Sequence, residues 1–195
     1  MSGQYPITPV FESVSFTSKF YNLSSTSLSG RTQVRNIGGQ RWEFSAKYSR
    51  LTREEFAPIM AFLMLQKGSN ETFTIKIPQI SFKSGGVSGT VRTNLSTTLP
   101  IGSTSVAVDG ITGGTFKAGD LFKFANHTKN YMITSDLSSD GSLQFQPPSV
   151  AWVANNVTIN KDEASMTVRL ANDIQSYDLG SASLLDFEID FIEAI

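Results

Sequence analysis

The sequence predicts a mainly β protein: an antiparallel β-sandwich with one flanking α-helix and a small inserted β-barrel-like module. Three observations carry this expectation. Residues 41–48, 71–77 and 185–191 alternate apolar and polar side chains at period two, the pattern of strands with one buried face. Ser, Thr and Asn number 26, 18 and 10, while charged residues are 17% of the 195, so hydroxyls and amides supply much of the polar surface. That suits outward strand positions, where β-branched Thr is at home. Between Pro100 and Pro148, short apolar runs are separated by Asp109-Gly110, Gly113-Gly114, Gly119-Asp120 and Asp140-Gly141, which are turn signals.

Taken in order, residues 1–30 read as an N-terminal arm and a first strand with Val14 and Phe16, and Phe20 and Leu23 as further apolar positions, followed by a loop from Ser24 to Gly30. Gly38-Gly39 satisfies a tight turn. The strand that follows places Trp42, Phe44, Ala46 and Tyr48 on one face, and Arg41, Glu43, Ser45 and Lys47 on the other. A helix is predicted from Thr52 to Lys67, because Thr52 and Glu55 form a capping box and Phe56, Ile59, Met60 and Leu63 make one buried stripe. Gly68 stops it. Pro58 predicts a kink, or a start nearer Phe56. Phe62, Met64 and Leu65 widen the apolar surface beyond one sheet contact, which makes all three candidates for a subunit contact. Phe73, Ile75 and Ile77 point inward on the next strand, and Phe82–Gly89 is loop or weak edge.

The domain division expected is 1–90 with 149–195 as the sandwich, and 91–148 as the inserted module. Val157-Thr-Ile159, Met166–Leu170 and Leu185–Phe191 are expected to complete the first sheet, with Leu185, Phe187, Ile189 and Phe191 inward. That leaves Asp186, Glu188 and Asp190 together on the opposite face.

Composition closes several chemistries. With no cysteine, disulfides, Cys-ligated zinc, iron–sulfur clusters and thiol catalysis are excluded. One histidine, His127, cannot build a multi-histidine metal centre and reads as a surface or turn residue. Asp120 after Gly119 reads as turn chemistry. No nucleophile-elbow, zincin, phosphate-loop or dinucleotide motif occurs, so no catalytic, metal or cofactor residue is assigned and no enzyme is expected. The net charge of −1 argues against a general nucleic-acid binder. No stretch of 18 apolar residues marks a membrane span.

Charge is unevenly placed. Residues 1–80 carry nine basic and five acidic side chains, whereas residues 162–195 carry eight acidic against Arg169 alone. The plainest account is two solvated faces. The others are complementary edges on neighbouring copies, with Arg31, Arg35 and Arg41 bridging to carboxylates, or an acidic strand lining a pore.

The run Leu28–Phe44, then Leu51-Thr-Arg-Glu-Glu-Phe-Ala-Pro-Ile-Met-Ala-Phe-Leu63, Gly68 and Glu71-Thr-Phe-Thr-Ile75, resembles the core of the distal tail or baseplate ring family of tailed bacteriophages. The segments Gly102–Gly110 and Phe116–Phe122 resemble an accessory module that such proteins carry. The resemblance implies a tail-tube-like β-sandwich assembled as a hexameric ring in the virion tail, after assembly in the host cytoplasm. Its implied partners are copies of itself, tail-tube and baseplate or hub proteins, and genomic DNA in passage only. Arg31, Arg35, Arg41, Phe62, Leu65, Asp186, Glu188 and Asp190 are the candidate interface or channel residues. The alternatives are another tail or neck ring component (tube, terminator or adaptor), and a soluble glycan- or peptide-binding module with a groove from Phe124, Tyr131 and Phe145.

Overall fold

In the computed structural model, which describes residues 3–81, 84–162, 164–174, 178–179 and 185–195, the long alternating segments pair with one another. Strands β1 (Ser13–Lys19), β2 (Asn22–Thr26), β3 (Thr32–Asn36) and β4 (Arg41–Leu51) lead into helix α1 (Arg53–Gln66). A 3-10 turn at Gly68–Asn70, β5 (Phe73–Ile75) and the single turn α2 (Pro78–Ser81) follow. Then come β6 (Arg92–Thr93), β7 (Ser105–Asp109), β8 (Leu121–Phe124), β9 (Asn130–Ile133), β10 (Gly141–Gln146) and β11 (Ile159–Asn160). The chain closes with β12 (Met166–Leu170), β13 (Asp178–Leu179) and β14 (Leu185–Glu193). The fold is mainly β, with one long helix.

The first sheet runs β1-β4-β14-β12-β5, with β13 pairing β14, and every pairing is antiparallel. Its inner face carries Trp42, Phe44, Ala46, Tyr48, Phe187, Ile189 and Phe191, all buried. At the Tyr48 end this face is covered by α1 and the N-terminal arm. Phe56 meets Phe187 edge-on, Phe11 packs on Tyr48, and the Tyr5 ring touches Phe62, Phe73 and Phe191. At the Trp42 end, Leu121 and Met132 of the second sheet join the same core. The expected inward residue Leu185 lies, as a side chain, outside the described residues.

The second sheet runs β11-β8-β9-β10-β7-β6. Its two edges meet through an Arg92–Thr158 bridge and a bond from Ile159 N to Val91 O, so it is nearly closed into a barrel. Phe122, Phe124, Tyr131, Leu143 and Phe145 fill it.

Five expectations are corrected. Residues 24–30 are not simply a loop, because β2 and β3 form a hairpin whose ten strand residues are all exposed. Ile159 pairs with Phe124 in the barrel instead of completing the first sheet, because its side chain joins the barrel core. Helix α1 starts at Arg53 rather than nearer Phe56, with the capping box formed as predicted. Pro58 and Glu54 are both exposed, so the carbonyl that Pro58 leaves without an amide donor faces solvent. Met60 is half-buried rather than fully covered. Phe124, Tyr131 and Phe145 are 0–1% exposed and line no groove. Of the expected loop at 82–89, residues 82 and 83 lie outside the described ones; beyond them Gly86 and Ser88 bridge to Thr115 and Gly113.

Candidate functional site

The outer face of the first sheet is built by the same alternation that fills its core. Register sets Ser13 opposite Lys47, Ser15 opposite Ser45, and Thr17 opposite Glu43. On the other side of β4, Glu188 stands opposite Lys47, Asp190 opposite Ser45, and Ile192 opposite Glu43. Three long neighbouring strands therefore present hydroxyls and charges, with Ile192 the one large apolar side chain among these pairs.

The carboxylates are held in place. Ser45 Oγ lies within hydrogen-bonding reach of both Glu188 Oε1, at 3.1 Å, and Asp190 Oδ1. The one hydroxyl proton satisfies a single carboxylate at a time. Asp186 Oδ1 accepts from Arg50 N at 3.0 Å, at a register shift where Arg50 adopts a φ of 53°. This carboxylate stabilises the bulge. Lys19 and Glu43 pair at 2.9 Å across the exposed edge, and Glu43 raises the Lys19 pKa. A shallow depression of about 270 Å³ runs between Ser15, Thr17, Ser45 and Asp190.

The structure brings Asp186, Glu188 and Asp190 together but not the three arginines. Arg41 starts β4 opposite Lys19, whereas Arg31 and Arg35 lie out on the β2–β3 ribbon, Arg35 opposite Leu23. Phe62 packs edge-on against Tyr5 and Phe73, so it belongs largely to the core, while Leu65 is 67% exposed. Among the described residues, no three His, Asp or Glu side chains gather as a metal site. No described helix is long and apolar enough to cross a membrane.

A second cluster escaped the sequence reading. Lys129 and Glu193, both fully buried, form an ion pair where barrel and sheet meet. Lys129 Nζ also donates to Gln40 O at 2.9 Å and Gln40 Oε1 at 2.7 Å. Glu193 Oε2 accepts from Trp42 N at 3.2 Å, and Oε1 from Asn130 N at 3.0 Å. Trp42 Nε1 donates to Asn130 O at 2.9 Å. Burial lowers the Lys129 pKa, and the charge of Glu193 opposes that shift. Glu193 could have been found, because it continues the inward register of Phe187, Ile189 and Phe191. Nothing local marks Lys129.

His127 sits at the barrel surface. Its Nε2 is 2.7 Å from Tyr131 Oη and its Nδ1 is 2.8 Å from Asn126 Oδ1, while Tyr131 Oη accepts from Val150 N. Asp120 serves a turn, its carboxylate accepting from Ser84 and Lys117 amides.

These features define a mainly β protein with a polar sheet face and an exposed two-stranded ribbon. In sequence it is similar to the distal tail protein pb9 of Escherichia phage T5, at 29% identity over 137 residues. The match covers 68% of this chain and 64% of pb9, so it spans less than two thirds of that relative's length. No family model matches the chain.

Proposed function

We propose that this protein is a non-enzymatic structural subunit of a bacteriophage tail, forming a hexameric ring at the distal tail or baseplate hub around the DNA channel. The similarity to a distal tail protein supports a tail role. The observation that carries the channel is the outer face of the first sheet, where Ser13, Ser15, Thr17, Ser45, Lys47, Glu188 and Asp190 form a polar wall. A wall of this kind suits a conduit. Its carboxylates repel phosphates, and sixfold repetition multiplies a modest strip into a strong field. The partners in this reading are further copies, tail-tube and hub proteins, and DNA only in transit. The site of action is the virion tail, after assembly in the host cytoplasm.

Native mass spectrometry of the purified protein over a range of concentrations tests self-assembly, and cryo-electron microscopy of intact particles tests position. A sixfold ring at the tail tip with β1, β4 and β14 facing the bore is expected. The protein found stacked in many layers is instead a tube subunit, and a monomer bound outside the tail sinks the reading.

A further inference from the structure

The β2–β3 ribbon continues the β1–β4 hairpin away from the Arg41 end of the first sheet, and all ten of its strand residues are exposed. An isolated two-stranded ribbon is at best marginally stable in water. This one also exposes Tyr21, Leu23, Leu28, Val34 and Ile37 (Leu28 completely), so it needs a cover. The charged side chains it carries are Arg31 and Arg35.

At the other end of β4 lies an apolar groove of about 270 Å³ beside α1. Phe56, Met60, Leu63 and Phe187 form its floor, Met64 stands 71% exposed at its side, and Asp173 and Lys67 are at its rim. Asp173 is oriented by Ser69, whose amide and hydroxyl both bond to Oδ1 and lower its pKa. Ile174 beside it is 82% exposed. Lys67, the C-cap of α1, stands on the same rim and offsets the negative carbonyl end of the helix, so Asp173 is the acidic group that the rim presents.

We infer that the ribbon of one copy docks in the α1 groove of the next, with Leu28 and Leu23 against Met60, Met64 and Leu63, and Arg35 or Arg31 paired with Asp173. Strand β4 has 11 residues and separates ribbon from groove by about 35 Å, at roughly 3.3 Å per residue. The ribbon leads away from that groove, so a chain cannot fill its own. The contact is therefore head-to-tail between copies, the heterologous kind that closes into rings. Methionine flanks suit such a seat because they adapt to what enters. This inference rests on the ring reading and names its interface.

The chain has no cysteine, so introduced thiols alone will react. Leu28→Cys/Met64→Cys and Leu28→Cys/Glu188→Cys proteins, with each single variant, are treated with a short bismaleimide at a concentration where ultracentrifugation shows assembly. Circular dichroism checks that each is folded. The expected result is a covalent ladder up to the full ring for Leu28→Cys/Met64→Cys, at least tenfold more than for any other protein. Dimers from Leu28→Cys alone would mean ribbon against ribbon, and a ladder with Glu188→Cys would seat the ribbon on the sheet face. Either result overturns the inference. Assembly without a ladder overturns the interface and leaves the ring standing, whereas a monomer at every concentration overturns both.

Discussion

Lys129 shows how one residue can join two halves of a molecule. Its ammonium has left water entirely and holds Gln40 and Glu193 at the seam between barrel and sheet. Removing one member of a buried pair strands the other charge, so Lys129→Met should destabilise the protein by about 3–5 kcal/mol. Lys129→Met/Glu193→Gln should recover part of that loss. Urea unfolding of the three proteins measures both. His127 offers a test by pH. Burial lowers its pKa below the ordinary 6.5, so the unfolded chain binds more protons than the folded one between those values. Its contribution to stability is therefore whole above pH 6.5 and declines as pH falls through that window. His127→Gln should remove that part of the acid slope, read from thermal melts at closely spaced pH values, and the wild-type ring resonances should titrate below 6.5.

At the scale of elements, α1 shows local signals and tertiary packing in agreement. Thr52 Oγ1 accepts from Glu55 N at 3.4 Å while Glu55 Oε2 accepts from Thr52 N at 2.9 Å, so the helix starts where the capping box predicts. Lys67 ends it at a φ of 54°, with Gly68 continuing at 70°. Phe56, Ile59 and Leu63 turn to the sheet, as their spacing requires. Leu63 is 6% exposed, so Leu63→Ala should cost about 2–5 kcal/mol in urea unfolding. A loss under about 1 kcal/mol would mean that the groove beside it closes around the smaller side chain. The ribbon is the contrary case. Its strands expose both faces, so neither face selects apolar residues and no alternation reveals it; only the pairing of residues 22–26 with 32–36 does.

For the whole molecule, where to cut depends on which core a residue joins. Val91, Val153 and Ile159 all belong to the barrel core, so excising residues 95–148 would strip them of their partners. Replacing residues 84–160 by a short Gly/Ser linker, together with Glu193→Gln, should leave a remainder that still unfolds cooperatively in thermal melts, at a lower temperature because Leu121 and Met132 leave its core. The smaller excision should give a broad transition or an insoluble chain. The polar sheet face makes its own prediction. Changing Asp186, Glu188 and Asp190 together to Lys should leave ring assembly intact but slow DNA passage, most at low salt where phosphate attraction is least screened. DNA release from particles, timed by dye fluorescence at two ionic strengths, reads this out. Blocked assembly would move these residues from the bore to an interface.

Much of this was legible in the chain. Alternation in β4 and β14 determined which side chains face inward, and so placed Asp186, Glu188 and Asp190 on one outer surface; capping chemistry determined the start of α1. Period-two and helical spacing report a residue's face because they follow from local backbone geometry. They do not say what that face meets. Only the tertiary structure decided that Ile159 closes a barrel, that Trp42 abuts Asn130, and that Lys129 finds Glu193 across 64 residues of sequence. Such partners are chosen by packing between distant segments, where the desolvation of a charge is balanced only once the whole fold has brought its counter-charge and hydrogen-bond partners to the same place.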